Sequence, residues 1–278
     1  MNDAKRRTWL VTGSSAGLGR ALCEELLEKG EQVVATARRL EDIADLAGER
    51  CLTATLDVTI PAQIEAAVAA ATERFGRIDV LVNNAAYGEM GMIEEFDDAR
   101  ARRQFDVNVF GVLNMQRAVL PVMRTQGSGH VLNISSIAGL ASFPMAGMYC
   151  ATKHALEALS EALAAEVAGF GIHVTLVEPG RFRTEFAGRS MGMPQSTGSA
   201  YAEATADYDR RRKEMSGHQQ GDPVKAARAM IDLVAMKDPP LRLLLGPDAW
   251  DMAQEKLRAL RAGFDAWESV TKSTDCED

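Results

Sequence analysis

The sequence predicts a doubly wound α/β domain, with one parallel sheet of seven strands flanked by helices on both faces. Three observations carry this reading. Strand-length apolar runs alternate with amphipathic helical stretches along most of the 278 residues. The first run ends in a glycine-rich turn that opens a helix. Finally, Gly13, Asp57, Asn83, Ser136 and Pro179 each follow the end of an apolar run, and in such a sheet those ends converge on the ligand crevice.

Taken in order, Trp9 to Thr12 is the first strand, and Gly13 to Gly19 leads into a helix that runs through Leu26 and Leu27. Unpaired amides and the positive end of a helix dipole suit a pyrophosphate there, and glycine allows close backbone approach. Gln32 to Thr36 is the second strand. The acidic residue that binds an adenosine ribose in many dinucleotide folds is missing after it: Ala37 holds that place and Arg38-Arg39 follow. Guanidinium groups suit a 2'-phosphate, which favours NADP (NADPH) over NAD.

Leu52 to Leu56 is the third strand, followed by a helix over Ile64 to Phe75. Ile78 to Val82 is the fourth, nearly all apolar as in a strand buried on both faces. A single long helix is expected over 98–124. It carries Asn108 among apolar residues, as a satisfied structural group or as part of a proton relay. His130 to Ile134, Ile172 to Val177 and Leu241 to Leu245 complete the sheet. Residues 181–222 break the rhythm with Gly188, Gly192, Pro194 and Gly198, and read as a mobile substrate lid. Its Phe186, Met191 and Met193, with Phe143, Met145 and Met148, point to a lipophilic, adaptable pocket. The polar tail from Thr271 to Asp278 is expected to fray.

The expected chemistry centres on Tyr149. Apolar positions Ala151, Ala155, Leu159, Leu163 and Val167 predict a helix over 147–169, which puts Tyr149 and Lys153 on one face. A neighbouring ammonium favours the phenolate and lowers a tyrosine pKa from about 10, making it a general acid and base. A serine from Ser135-Ser136 aimed at the same point would hydrogen-bond a substrate oxygen. That is equipment for carbonyl reduction or alcohol oxidation.

Composition bounds the alternatives. With 46% hydrophobic and 25% charged residues the chain reads as an ordinary soluble protein, and a net charge of -8 argues against broad nucleic-acid or anionic-membrane binding. No apolar run approaches the ~20 residues of a membrane span and no signal-peptide core follows the N-terminus, so a cytoplasmic protein is expected. Cys23, Cys51, Cys150 and Cys276 form no close pair, and the four histidines are scattered, so neither a disulfide scaffold nor a metal site is expected. Cys150 reads as a buried spacer.

Over nearly its whole length, from Thr8 to about Leu245, the sequence resembles a classical short-chain dehydrogenase/reductase. Thr12-Gly13-Ser14-Ser15-Ala16-Gly17-Leu18-Gly19 resembles the family's Thr-Gly-x-x-x-Gly-x-Gly, and Asn83-Asn84-Ala85-Ala86 its Asn-Asn-Ala-Gly, with Ala86 in place of the usual glycine. The resemblance implies a single Rossmann-type domain over 1–278: a core over 8–180, a lid over 181–222, and C-terminal helices with the last strand over 223–270.

It further implies a catalytic tetrad of Asn108, Ser136, Tyr149 and Lys153, with Ser136 favoured over Ser135 by its thirteen-residue interval to the tyrosine. The implied cofactor set is Gly13, Ser15, Gly17, Leu18, Gly19, Arg38, Arg39, Asp57, Val58, Asn83, Ala85, Tyr149, Lys153, Pro179, Gly180 and Thr184. Asp57 would contact the adenine, Asn83 the adenosine side, Arg38 the 2'-phosphate, and Pro179, Gly180 and Thr184 the nicotinamide carboxamide. Tyr149-Cys150-Ala151-Thr152-Lys153-His154-Ala155-Leu156-Glu157 is similar to members acting on hydroxysteroids and retinol. A homodimer or homotetramer through the helices before and containing the tyrosine is implied, as is a small-molecule substrate. The readings opposed to an NADP(H)-dependent oxidoreductase are a non-catalytic dinucleotide sensor and a nucleotide-sugar epimerase or dehydratase. A complete tetrad weighs against the first, the first-turn spacing against the second.

Overall fold

The computed structural model describes residues 6–188, 191–192 and 200–276. Strand β1 (Thr8–Val11) feeds helix α1 (Gly17–Glu28), then β2 (Gln32–Ala37), β3 (Cys51–Thr55), α2 (Pro61–Phe75) and β4 (Val80–Asn83). A two-residue strand β5 (Gly88–Glu89) precedes α3 (Asp98–Phe105), a π-turn over Asp106–Phe110, and α4 (Gly111–Gln126). Next come β6 (Gly129–Ile134), α5 (Gly147–Val167) and β7 (Ile172–Pro179). After β8 (Met191–Gly192) the chain closes with α6 (Ala202–Met215), α7 (Pro223–Val234), β9 (Arg242–Leu245), α8 (Pro247–Ala266) and α9 (Glu268–Lys272).

The seven long strands form one parallel sheet in the order β3-β2-β1-β4-β6-β7-β9. Alternation along each strand divides the core. Trp9, Val11, Val33, Val80 and Leu132 pack on one face with Leu22 and Leu26 of α1 and Met230 of α7. Leu10, Val34, Leu81, Val131 and Val174 pack on the other with Ile64 and Ala71 of α2, Met115 and Val119 of α4, and Leu163 of α5. Strand order reverses between β1 and β4, so the crevice opens where the turns after those strands splay apart.

Three expectations need correction. The helix expected over 98–124 is interrupted by the π-turn, after which Gly111 lies so close to Val58 that an added Cβ would sit 3.0 Å from the valine Cβ. The apolar stripe assigned to α5 faces the core only in its last two turns, through Leu163 and Val167; Ala151 is exposed, and nearer the N-terminus the buried face carries Thr152, Lys153, Leu156, Glu157 and Ser160. Part of the expected lid loop is helix α6, almost without apolar periodicity. Pairs such as Arg211–Asp207 at 2.7 Å and Lys213–Asp209 at 2.7 Å run along it. Met193, Pro194 and Gly198 of that lid lie outside the described residues, as do Met1 to Lys5 and the last two residues of the tail. Among the described residues no helix is long and apolar enough to cross a membrane.

Candidate active site

The turn after β1 is held from below. Asn84 donates its side-chain amide to the carbonyls of Thr12 (2.9 Å) and Gly13 (3.0 Å), and the Thr12 hydroxyl accepts from the amides of Asn84 (2.9 Å) and Ala85 (3.0 Å). Gly13 and Gly17 take φ of +70° and +61°, which favours glycine at both. A Cβ on Gly13 would stand 2.9 Å from the Ala85 Cα, and one on Gly19 would strike the Asn84 amide and lie 2.6 Å from the Gly13 carbonyl. A Cβ on Gly17 would meet Thr184 at 3.4 Å, so the loop after β7 closes over the start of α1. Ala86, the departure from the family pattern, does not take a positive φ, so its methyl group strains nothing.

Ser15, Arg38, Arg39 and Asp42 line an open cavity of about 380 Å³ beside this turn. Arg39 pairs with Glu41 (3.0 Å) and Asp42 (3.3 Å). Arg38 is exposed and makes no ion pair among the described residues. Leu18 is half-buried against the core on the α1 face. Asp57 accepts from the amide and hydroxyl of Thr59 through one oxygen, and Val58 accepts from Asn114.

The Asn83 side chain turns away from the crevice. It is buried and donates to Asn133 at 2.8 Å, while its own oxygen has no partner among the described residues. It faces into the molecule, so any contact with a bound molecule falls to its main chain. Asn108 is also committed: its oxygen accepts from the Tyr87 amide (3.1 Å), and its amide donates to the Tyr87 carbonyl (2.8 Å) and Thr152 (3.2 Å). Of the two readings of Asn108, its side chain fits the satisfied structural group. Only its main chain, in the π-turn, is left for a relay.

Ser136, at the end of β6, caps the following turn by accepting from the Ala138 amide at 3.1 Å and donates to the Pro179 carbonyl at 3.5 Å; its hydroxyl faces the Tyr149 phenol closely enough to act on its titration. Lys153 is buried, donates to the Ile134 carbonyl at 2.7 Å, and places its nitrogen 5.7 Å from the centre of the Tyr149 ring. The expected sign of the tyrosine shift is reversed. Burial pushes the phenol above its ordinary value, with Ser136 pulling the other way, and burial pushes the Lys153 ammonium down to about 8 against the pull of Glu157. Four residues apart, the two groups share a face, but both are desolvated, and desolvation sets the direction of each shift.

Sequence reasoning missed the polar cluster beneath this pair. Ser135 donates to Glu157, one turn beyond Lys153, and Arg242 of β9 bridges Glu157, Glu178 and Glu161. Burial, and Glu157 beside it, push the Glu178 carboxyl up to about 7, against the bond from Arg242. The one available signal was the pair of carboxylates at 157 and 161, which continues the face of Tyr149 and Lys153 in steps of four. On the open side, Phe143, Phe186, Met191 and Tyr208 pack around Tyr149, Cys150 and Met90. Phe186 lies 5.7 Å from the Tyr149 ring, and β8 pairs with β5 to tie the 181–222 segment down. Gly180 donates to the Leu245 carbonyl at 2.8 Å and is pressed against Asp248, which fixes the chain after Pro179.

A family model described as short chain dehydrogenase matches residues 7–193. The chain belongs to the short-chain dehydrogenases. This short-chain dehydrogenase is 38% identical over 275 residues to an oxidoreductase of Botryotinia fuckeliana named BOA17, covering 95% of this chain and 98% of that one. It is 37% identical over 241 residues to the 3-ketodihydrosphingosine reductase of Bacteroides thetaiotaomicron, covering 86% and 87%.

Among solved structures, a short-chain dehydrogenase from Streptomyces avermitilis superposes with a TM-score of 0.89 at 43% identity, over 98% of this chain and 100% of that one. A Burkholderia phymatum member in complex with NAD gives 0.82 at 25% identity, covering 95% and 97%. One from Burkholderia cenocepacia in complex with NADP gives 0.74 at 27% identity, covering 94% and 97%. The short-chain dehydrogenase described here is therefore an oxidoreductase acting on CH-OH or carbonyl groups with a nicotinamide cofactor.

Proposed function

We propose that the protein is an NADP(H)-dependent oxidoreductase that interconverts a ketone or aldehyde and the corresponding alcohol on a lipophilic substrate, with Tyr149 as general acid and base. The observation that carries this reading is the placement of the Tyr149 phenol beside the Ser136 hydroxyl, under a wall of Phe143, Phe186, Met191 and Tyr208.

The residues present fit a dinucleotide. The glycine cradle after β1 leaves room that a Cβ would fill, and Arg38, which makes no ion pair among the described residues, offers its guanidinium in the cavity next to Ser15. Gly13, Ser15, Gly17, Leu18 and Gly19 would hold the pyrophosphate, Arg38 with Arg39 a 2'-phosphate, and Asp57, Val58, Ala85 and the Asn83 main chain the adenosine. Lys153 would hold the nicotinamide ribose, and Pro179, Gly180 and Thr184 the carboxamide. A reduced nicotinamide supplies the hydride.

The remaining chemistry belongs to the chain. Ser136 donates a hydrogen bond to the carbonyl oxygen and holds it against Tyr149. Because burial keeps the phenol protonated at neutral pH, Tyr149 enters reduction ready to give its proton to the developing alkoxide. Aromatic and thioether side chains over the site exclude water and accept an apolar body. Similarity to a protein named for reducing a 3-keto sphingoid base supports a ketone attached to an apolar chain.

Oxidation of NADPH with ketones and aldehydes of graded chain length tests the reading. Turnover that rises with chain length supports it. Tight NADPH binding with no turnover of any compound in either direction favours the dinucleotide sensor instead.

A further inference from the structure

Helix α8 rests on the domain only through its first two turns. Ala249 and Ala253 are buried there against Ile137, Leu140 and Leu244. Beyond them the helix overhangs, and from Leu257 to Cys276 every residue is exposed. The face that docks on the domain does not turn polar where the domain ends. Leu257, Leu260, Phe264 and Trp267 continue it within an arc of about 100°, spaced as the a and d positions of a heptad pattern, with Leu257 60%, Phe264 69% and Trp267 64% exposed. Trp250 and Val270 flank the stripe and are exposed as well.

Two physical arguments say that this face is covered in solution. A helix of this length with no tertiary contact is marginal in water, because helices gain most of their stability by burying an apolar face. The six side chains also expose on the order of 700 Å² together, larger than the apolar patch of a typical monomer and close to the roughly 800 Å² that each partner contributes to a standard interface.

We infer that the occupant is a second copy of this chain, joined through the same stripe about a two-fold axis. Isologous pairing lets one heptad-spaced stripe meet itself, and the exposed apolar area approaches what each partner of a standard interface contributes. A bilayer is disfavoured by charge. From Pro247 to Lys272 the basic residues Lys256, Arg258, Arg261 and Lys272 are outnumbered by Asp248, Asp251, Glu255, Asp265 and Glu268; Arg261 pairs with Asp265 at 2.8 Å, Lys272 pairs with Glu268, and the whole chain carries -8. This surface lies outside the helices before and containing Tyr149, which the family resemblance implicates in assembly.

The test compares the full chain with the double variant Phe264→Asp/Trp267→Asp by light scattering at micromolar concentration. The inference expects the mass to halve while cooperative thermal unfolding is kept. It also expects amide exchange over 257–272 to quicken at least tenfold. A second pair, Leu257→Lys/Leu260→Lys, must give the same halving. An unchanged mass in both variants, or a monomeric wild-type chain, overturns it. So does a monomer that co-sediments with phosphatidylcholine vesicles and loses that binding in the double variant.

Discussion

Replacing Arg38 by alanine isolates the residue on which cofactor choice is proposed to rest. Arg38 and Arg39 both line the cavity beside Ser15, yet they differ in what they already hold. Arg39 is paired with Glu41 and Asp42, whereas Arg38 makes no ion pair among the described residues. A phosphate arriving there exchanges water for Arg38 alone, but must compete with two carboxylates for Arg39. A charge-assisted hydrogen bond contributes about 1.5 to 3 kcal/mol, equivalent to about 10- to 150-fold in dissociation constant. Exposure and salt screening place Arg38 at the low end of that span. Titrating the fluorescence of each reduced dinucleotide gives the constants directly. Arg38→Ala should weaken NADPH at least tenfold and NADH less than about threefold, and Arg39→Ala should weaken NADPH less than Arg38→Ala does. Raising the salt concentration should narrow the gap between the two dinucleotides in the wild type and leave it flat in Arg38→Ala. Equal losses for NADPH and NADH in Arg38→Ala would refute the assignment, as would a larger effect at Arg39.

Two further predictions concern the frame around the site. Gly19→Ala drives a methyl group into the Asn84 amide that holds the glycine turn, so it should cost about 1 to 3 kcal/mol of stability in denaturant titrations and weaken both dinucleotides alike; a variant as stable as wild type would show that the turn yields freely. Glu178, raised from 4.5 to about 7, binds its proton more tightly when folded. Its penalty is therefore absent below pH 4.5, grows as pH rises, and is complete above about 7. Glu178→Gln should remove that falling limb from a plot of stability against pH, and an unchanged slope between these values would show that the cluster around Arg242 shares the proton elsewhere.

Much of the fold was legible because its signals are local and periodic. Val80, Leu81 and Val82 are buried on both faces of the sheet, and an unbroken apolar run says so. Gly13 and Gly17 were marked by spacing, and each proved to need the turn conformation glycine permits. What escaped was set by tertiary context. Helix α6 is held by charge pairs rather than an apolar face, so hydrophobic periodicity is blind to it. The face of α5 hides Glu157 and Ser160 because Ser135, Arg242 and Asn133 reach them from other strands. Asn83 was assigned by its place at a strand end, but the pleat turns its side chain inward to Asn133. The sign of the Tyr149 shift also depends on burial, which four-residue spacing does not reveal.

The central claim is that Tyr149 transfers the proton. The most direct measurement compares wild type with Tyr149→Phe in a single-turnover assay, following loss of the reduced nicotinamide absorbance after mixing bound NADPH with the best ketone of the panel. The account predicts a rate at least a hundredfold lower with unchanged NADPH affinity, since the ring keeps its packing against Phe186 and loses only its hydroxyl. A Tyr149→Phe protein that reduces the ketone within a few-fold of the wild-type rate would contradict it.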